Sequence, residues 1–304
     1  MQKKVLITGG SGLLAINWAL SIRDKYEVTL LLHHRKISLQ GVNTDIASLN
    51  SVDECLSILK KHQPNIVIHT AALTNVEKCE SDLALAQEVN VDLAGNIAIA
   101  CDRQKIKLVH ISTDHLFSGE QKFLTERASP TPINNYAKTK LEGERQVKKH
   151  CKKALVIRTN FFGWGMEYHK SFSDFIVNKL RNNEAVDLFT DVFFTPILAE
   201  ELSKKVHQLI DNNCNGIFSV VGSERLSKYE FGIKLANCFE LNSGLINKSS
   251  INDKIKLVDR PKDMSLSNKK ICKVLECEFL SIDEQFQALK QQENNNMTNK
   301  VIVL

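Results

Sequence analysis

The sequence predicts an α/β fold, with a doubly wound parallel sheet followed by a smaller C-terminal α/β lobe. Short runs of Val, Ile and Leu alternate with helix-forming segments through the first 160 residues, and such alternation is typical of βαβ units. A glycine-rich turn directly follows the first of these runs. Beyond residue 160 the alternation loosens into longer loops, which indicates a second lobe.

The predicted elements follow one another in a regular order. Strands are expected at 3–8, 27–32, 65–69, 106–111 and 154–157, and helices at about 11–23, 51–62, 83–103 and 135–150. In the second lobe we expect helices near 172–181, 198–211 and 227–239 and short strands near 185–188 and 216–220. The second strand is apolar along almost its whole length, as expected for a parallel sheet that is covered on both faces.

The chain is long enough for two domains. It has 304 residues, of which 43% are hydrophobic and 25% are charged, a composition typical of globular proteins. We expect a first domain over 1–160, to which elements of the C-terminal half return, and a smaller lobe over 161–290. A polar tail is expected over 291–304, with 291–299 frayed and the apolar residues from Val301 to Leu304 able to dock on the body of the protein.

Composition also argues against several kinds of partner. The net charge of +5 is spread along the chain, so nucleic acid is not an expected partner. No apolar run reaches the ~18 residues of a membrane span, and Gly9-Gly10 interrupts the N-terminal run before a signal peptide could form. The eight cysteines include no C-x-x-C pair, so we expect reduced thiols, no metal site and a cytoplasmic protein.

The first turn, Gly9-Gly10-Ser11-Gly12-Leu13-Leu14-Ala15, lies between a predicted strand and a predicted helix. It fits G-x-G-x-x-A from Gly10 or G-x-x-G-x-x-A from Gly9. At this position backbone N–H groups and the positive end of the helix dipole can hold a pyrophosphate. A plain glycine turn is the alternative, but the βαβ context favours a Rossmann-type dinucleotide-binding domain.

The end of the second strand carries His33-His34-Arg35-Lys36. Folds that select NAD usually place Asp or Glu there to bind the ribose 2′-hydroxyl, whereas an arginine accommodates a 2′-phosphate. Arg35 therefore favours NADPH, with NADH left open. A solvated basic loop is the alternative interpretation.

A tyrosine and a lysine four residues apart, Tyr136 and Lys140, lie in the predicted helix 135–150 and share one of its faces. A neighbouring ammonium lowers the pKa of a phenol, so the pair can serve as an acid or a base. Thr113 follows the strand 106–111 at the edge where open α/β sheets bind ligands. The alternatives are a surface tyrosine beside a lysine and an ordinary Ser/Thr/Asp turn.

In this order, the glycine turn, Ser112-Thr113-Asp114 and Tyr136-x-x-x-Lys140 resemble the extended short-chain dehydrogenase/reductase family, and more closely its dTDP-4-dehydrorhamnose reductase-like branch. Further similar segments lie at 44–46, 69–80, 89–91, 111–119, 158–160, 194–196, 216–222 and 260–261. Together these segments extend the resemblance over most of the chain.

The resemblance implies a role for each candidate residue. It places the cofactor pyrophosphate at Gly9, Ser11, Gly12 and Leu13, the adenine at Asp45 and Ile46, and the nicotinamide ribose at Ala71, Ala72, Thr74 and Lys140. It makes Tyr136 the proton donor, lets Lys140 tune the phenol, and assigns Thr113 to the substrate carbonyl. The nucleotide-linked sugar would contact Thr113, Asp114, Phe161 and Arg260.

The implied activity is NADPH-dependent reduction of a nucleotide-linked 4-keto-6-deoxyhexose at its C4 carbonyl, a step of dTDP-rhamnose-type deoxysugar biosynthesis. Members of the family often dimerise, so a homodimer is an implied partner arrangement. His115 and Ser118 depart from the usual substrate loop and leave the sugar open. The alternatives are a nucleotide-sugar epimerase or epimerase-reductase on the same scaffold, and a non-catalytic NADP-binding regulatory subunit.

Overall fold

The computed structural model describes residues 2–253, 257–295 and 301–303. The strands are β1 (Lys4–Thr8), β2 (Glu27–Leu32), β3 (Ile37–Leu39), β4 (Asn43–Ile46), β5 (Ile66–His69), β6 (Lys107–Ile111), β7 (Leu155–Arg158), β8 (Phe161–Phe162), β9 (Val186–Phe189), β10 (Phe193–Phe194), β11 (Ile197–Leu198), β12 (Gly216–Ser219), β13 (Leu226–Ser227), β14 (Ile246–Ser249) and β15 (Val301–Val303). The α-helices are α1 (Leu13–Ile22), α2 (Val52–His62), α3 (Val76–Ser81), α4 (Leu83–Gln87), α5 (Leu93–Gln104), α6 (Asn135–His150), α7 (Phe172–Arg181), α8 (Ala199–Asp211), α9 (Lys228–Cys238), α10 (Lys269–Leu275) and α11 (Ile282–Asn294).

A seven-stranded parallel sheet in the order β12-β7-β6-β5-β1-β2-β4 forms the centre of the molecule. Side chains alternate along β1, so that Val5 and Ile7 enter one core and Leu6 enters the other. Helices α1 and α8 cover the first face, and α2 and α5 cover the second. The predicted α/β fold with a doubly wound, Rossmann-type sheet is therefore confirmed.

The C-terminal half contributes to this sheet and also forms a core of its own. Strand β12 pairs with β7, and the buried face of α8 packs in the same core as α1. A second core collects around Phe231 and Phe286, whose rings lie 5.0 Å apart between α9 and α11. The division at residue 160 stays a prediction, since the sheet includes elements from both sides of it.

Several elements differ from the sequence prediction. The helix expected at 83–103 is interrupted, because a π-helical turn at Glu88–Asp92 separates α4 from α5. Elements that were not predicted include β3, β4, α10 and α11, and helix α11 continues to Asn294. Val301–Val303 pairs with β3 as the predicted docking requires. The segment expected to fray over 291–299 is helical up to Asn294, so that part of the expectation is wrong, whereas 296–299 and Leu304 lie outside the described residues.

Within the part of the chain that the structure describes, no helix combines the length and hydropathy needed to cross a membrane.

Candidate functional site

The glycine turn between β1 and α1 is shaped for an anion. Gly9 has φ +68°, and a Cβ there would lie 2.8 Å from the Ala71 backbone, so only glycine fits without strain. Gly12 caps α1 without a side-chain hydrogen bond, and the first helical turn contains no acidic residue. The Gly10 and Gly12 N–H groups donate to the Leu31 and Gly9 carbonyls and fix the turn. The first N–H groups of α1 have no intrahelical partner and are available to a ligand at the positive end of the helix dipole.

A cavity of about 410 Å³, here called the glycine-turn cavity, opens beside this turn. It is lined by six of the residues predicted to bind the cofactor: Gly9, Ser11, Gly12, Arg35, Ala71 and Ala72. Leu13 lies just outside the lining, in the first turn of α1 and largely buried. The glycine cradle and the free helix N-terminus fit the diphosphate of a dinucleotide.

Arg35 closes one end of the glycine-turn cavity. Its guanidinium lies 3.9 Å from the centroid of the Tyr168 ring, and the Tyr168 hydroxyl donates a 2.9 Å hydrogen bond to the Ser11 carbonyl. The arginine is thus held next to the turn that would bind the pyrophosphate. Sequence reasoning missed Tyr168, because the loop that carries it has no motif of its own.

The structure does not bring Asp45 or Ile46 into the lining of the glycine-turn cavity. The Asp45 carboxylate accepts hydrogen bonds from Lys61 and His62 at 2.6 and 2.7 Å. Burial opposes these bonds, but together they keep the Asp45 pKa below its ordinary value. Ile46 ends β4 with half of its surface exposed.

A second cavity of about 430 Å³, here called the tyrosine cavity, adjoins the first and shares Thr70 and Ala72 with it. It brings together all three predicted catalytic residues, Thr113, Tyr136 and Lys140. The other predicted residues in its lining are Ala72, Thr74, Asp114, Phe161 and Arg260. Thr113 comes from the end of β6, whereas Tyr136 and Lys140 come from one face of α6.

Burial and the neighbouring polar groups determine the pKa of the Tyr136 phenol. Burial raises the Tyr136 pKa above its ordinary value, the charge of Asp114 raises it further, and a hydrogen bond with Thr113 opposes both. Burial lowers the Lys140 pKa to about 8, against the charge of Glu144. The Lys140 ammonium donates to the Ile111 carbonyl at 2.8 Å. In this structure the phenol pKa is therefore raised rather than lowered, because burial outweighs the hydrogen bond with Thr113.

Asp114 is the most buried acid of the tyrosine cavity, with 1% of its surface exposed. Burial raises its pKa to about 6, although the Asn160 amide donates to it at 2.6 Å and Lys228 lies nearby. Arg260 forms an ion pair with Glu77 at the side of the same cavity. Asn160 and Glu77 lie in segments 158–160 and 69–80 of the family resemblance but were not predicted as site residues, and the fold brings them here.

A third cavity of about 380 Å³, here called the phenylalanine cavity, meets the tyrosine cavity at His115 and Arg260. Its apolar lining includes Phe172, Phe175, Leu188, Phe189, Val192, Ile251 and Met264. Lys228 points into this lining from the start of α9, with its ammonium 3.3 Å from the Phe194 ring centroid. Burial lowers the Lys228 pKa to about 8. Sequence reasoning missed Lys228, because no motif marks it and only the packing of α9 brings it to this cavity.

Polar atoms that lack a partner collect in the tyrosine cavity. Among the described residues, the buried atoms without a hydrogen bond include Ser112 Oγ, His115 Nδ1, Thr159 Oγ1 and Arg260 Nε, and all four residues line this cavity. Buried polar groups normally find partners. A polyhydroxylated or anionic ligand would supply them.

Comparison with known proteins places the chain in a family. Residues 3–294 match the model described as RmlD substrate binding domain. The probable low-salt glycan biosynthesis reductase Agl14 of Haloferax volcanii is 27% identical over 289 residues, which cover 93% of this chain and 96% of that protein. Methionine adenosyltransferase 2 subunit beta of Pongo abelii is 27% identical over 253 residues, which cover 80% of this chain and 74% of that protein.

Among solved structures, dTDP-4-dehydrorhamnose reductase from Bacillus anthracis in complex with NADP superposes with a TM-score of 0.85 at 23% identity. The alignment covers 96% of this chain and 100% of that chain, so the two proteins share a fold. The matched family model extends over almost the whole chain and agrees with the motifs of the glycine turn and the tyrosine cavity. The chain belongs to the RmlD substrate binding domain family, which confirms its resemblance to the dTDP-4-dehydrorhamnose reductase-like branch.

Proposed function

We propose that the chain is an NADPH-dependent reductase of a nucleotide-linked 4-keto-6-deoxyhexose. The observation that carries this proposal is the junction of the glycine-turn and tyrosine cavities. A dinucleotide whose diphosphate binds at Gly9 and Gly12 would extend past Ala72 toward Tyr136. The reacting carbonyl would then lie beside the phenol and the Thr113 hydroxyl.

The residues of the glycine-turn cavity suit NADPH. When bound, the reduced nicotinamide supplies a hydride to the carbonyl carbon. Gly9, Ser11 and Gly12 hold the diphosphate, and Lys140 holds the hydroxyls of the nicotinamide ribose. Arg35 is suited to the 2′-phosphate, because its guanidinium can donate two parallel hydrogen bonds to phosphate oxygens.

Tyr136 acts as the proton donor in this proposal. Because burial raises its pKa, the phenol stays protonated across the neutral range, which is the form that a reduction requires. The phenol gives its proton to the carbonyl oxygen as the hydride reaches the carbon, so a ketone becomes an alcohol. Thr113 donates a hydrogen bond to the same oxygen, and the Lys140 ammonium stabilises the phenolate that remains.

The tyrosine and phenylalanine cavities suit the two ends of a nucleotide sugar. Polar atoms without partners in the tyrosine cavity match the hydroxyls of a hexose. Lys228 and Arg260 stand at the boundary where a diphosphate would lie, and the apolar lining beyond them suits a nucleobase. This arrangement orders sugar, diphosphate and base along one path.

Names of the relatives support a reductase but keep one alternative open. One relative is a probable glycan biosynthesis reductase and one solved neighbour is a dTDP-4-dehydrorhamnose reductase with NADP. Another relative is a subunit of methionine adenosyltransferase, which favours a regulatory, non-catalytic function as the second candidate.

The test is NADPH oxidation by the purified chain with a dTDP-linked 4-keto-6-deoxyhexose, followed at 340 nm in absorbance. We expect turnover, and we expect Tyr136→Phe to abolish it without weakening NADPH binding. Tyr229→Phe, which changes a tyrosine outside the tyrosine cavity, is the matched control and should leave turnover unchanged.

The outcomes separate the alternatives. An epimerase would convert the sugar without net loss of NADPH, which product analysis detects. A regulatory subunit would bind NADPH and oxidise it with none of the 4-keto sugar nucleotides. Full activity of Tyr136→Phe would contradict the assigned proton donor while leaving the reductase assignment intact.

A further inference from the structure

The C-terminal strand β15 lies beyond the part of the chain that matches the family. The family match ends at residue 294, and β15 comprises Val301–Val303. The strand pairs antiparallel with β3, in the register Val301 with Leu39, Ile302 with Ser38 and Val303 with Ile37. One strand of this pairing therefore lies inside the matched region and the other outside it.

Strand β3 depends on β15 for its sheet pairing. Within residues 2–253, 257–295 and 301–303, its other backbone pairing is the single bridge from Leu39 to Val42. Ile37 and Leu39 point inward and are 0% and 2% exposed. Val301 packs against the same core, so β15 holds β3 by backbone pairing and by side-chain contact.

The residues that precede β3 form the end of the glycine-turn cavity. Arg35 stands two residues before Ile37 and stacks on Tyr168, whose hydroxyl holds the Ser11 carbonyl of the glycine turn. Arg35 and Tyr168 also line a cavity of about 920 Å³ together with Val301 and Val303. The C-terminal strand and the basic loop of residues 33–36 thus border one space.

We propose that β15 fixes the basic loop of residues 33–36 beside the glycine-turn cavity, and that it thereby sets a preference for dinucleotides that carry a 2′-phosphate. The inference rests on the dinucleotide binding in the proposed function and goes beyond it. A guanidinium recognises phosphate through fixed geometry, so its contribution depends on how firmly its backbone is held. Loss of β15 leaves Arg35 and its contact with Tyr168 but removes the strand pairing that holds β3, which directly follows the loop.

The first test measures binding of NADPH and NADH to the full chain and to a variant that lacks residues 301–304. We expect the deletion to weaken NADPH binding by about tenfold, the size of one charge-assisted hydrogen bond, and to leave NADH binding within about twofold. Arg35→Gln should cause the same selective loss. In the deletion background it should add little, because both changes remove one interaction.

Two substitutions at one residue test whether the effect of the deletion comes from the lost strand pairing. Ile302→Pro breaks a strand pairing, whereas Ile302→Thr keeps a β-branched residue at the same exposed position. We expect the proline variant to reproduce the deletion and the threonine variant to bind NADPH as the unaltered chain does.

Hydrogen exchange of the backbone amides at 33–39 provides a readout that needs no cofactor. We expect faster exchange there in the deletion and in Ile302→Pro, and unchanged exchange in Ile302→Thr. An unchanged ratio of NADPH to NADH affinity in the deletion variant would overturn the inference. Unchanged hydrogen exchange at 33–39 in that variant would overturn it as well. If the full chain binds neither dinucleotide, the proposed function fails, and the exchange data still show whether β15 holds the loop.

Discussion

Glu144 and Arg158 form a buried, bidentate ion pair that joins α6 to β7. Arg158 Nε and Nη2 donate to the two Glu144 carboxylate oxygens at 3.0 and 2.8 Å. The two residues are 2% and 3% exposed. Glu144 lies one turn beyond Lys140 on the buried face of α6, so this pair fixes the helix that carries both Tyr136 and Lys140.

Glu144→Gln should lower the free energy of unfolding by about 3–5 kcal/mol, because it leaves a buried guanidinium without its counter-charge. Urea denaturation measures the loss. Glu142→Gln is the matched control, since Glu142 pairs with the exposed Arg145 on the same helix, and it should cost under about 1 kcal/mol. Equal losses in the two variants would mean that the buried Glu144–Arg158 pair contributes no more to stability than the exposed Glu142–Arg145 pair.

Gly9→Ala should weaken dinucleotide binding by more than about tenfold, because strain of about 1–3 kcal/mol at a positive φ adds to a clash with the Ala71 backbone. Gly216→Ala is the control, because Gly216 also has a positive φ but has no atom within 4 Å of the added Cβ. That variant should bind the dinucleotide normally. Fluorescence titration with NADPH compares them, and unaltered binding by Gly9→Ala would show that the turn does not cradle the diphosphate.

Acid should destabilise the protein below pH 6.5. Burial lowers the pKa values of His69 and His115 to about 3 and of His207 to about 4, and it lowers that of His110 as well. Since the unfolded chain takes up protons that the folded state refuses, stability is full above pH 6.5 and falls as pH decreases from there. Each such histidine should cost about 1.5 kcal/mol between pH 6.5 and pH 5.

The measurement compares how much stability three proteins lose over this interval. His207→Gln should lose about 1.5 kcal/mol less than the unaltered chain, because one proton uptake by the unfolded state is removed. His34→Gln replaces an exposed imidazole and should lose as much as the unaltered chain. An identical loss of stability in His207→Gln and His34→Gln would show that the pKa of His207 is not lowered in the folded protein.

Lys228→Gln should raise the KM for the nucleotide sugar by about 10- to 100-fold, the size of a lost hydrogen bond to a charged group. The kcat should change less, because Lys228 lines the phenylalanine cavity and not the tyrosine cavity. Lys248→Gln changes an exposed lysine outside both and is the control. A loss confined to kcat would place Lys228 at the reacting centre instead.

Local signals predicted the sheet and the residues of one helix. The strands β1, β2, β5, β6 and β7 were predicted from apolar runs, and α6 begins and ends at the predicted residues. The glycine turn and the pair of Tyr136 and Lys140 were predicted because each depends on spacing within one element. Their convergence was implied by the resemblance and not by the spacing.

Tertiary contacts explain what the sequence prediction missed. The π-helical turn occurs where the Asn90 side chain forms hydrogen bonds with Leu73 and Thr139. At the same place the Asn90 carbonyl approaches Gly143 of α6 so closely that no side chain fits at residue 143. No pattern within 83–103 signals that contact. By contrast, α11 had a readable signal, because Ser281 and Glu284 form a capping box.

The cysteines were predicted from the sequence, whereas the positions of the charged groups in the site were not. All eight thiols are free, as predicted from the absence of C-x-x-C pairs. The positions of Lys228 and Asn160 beside Asp114 depend on three separate elements meeting, which a single sequence cannot indicate. A cytoplasmic location and a homodimer stay predictions.

Strand β12 completes the sheet from a position more than fifty residues after β7. Until β12 has been synthesised, β7 is the outermost strand, with unpaired backbone groups on one side and with Leu155 and Ile157 on one face and Val156 on the other. While the segment between the two strands is translated, this open edge can therefore pair with strands of other chains. The same edge makes a fragment ending near residue 160 a candidate for aggregation and a natural client for a chaperone that recognises open strands.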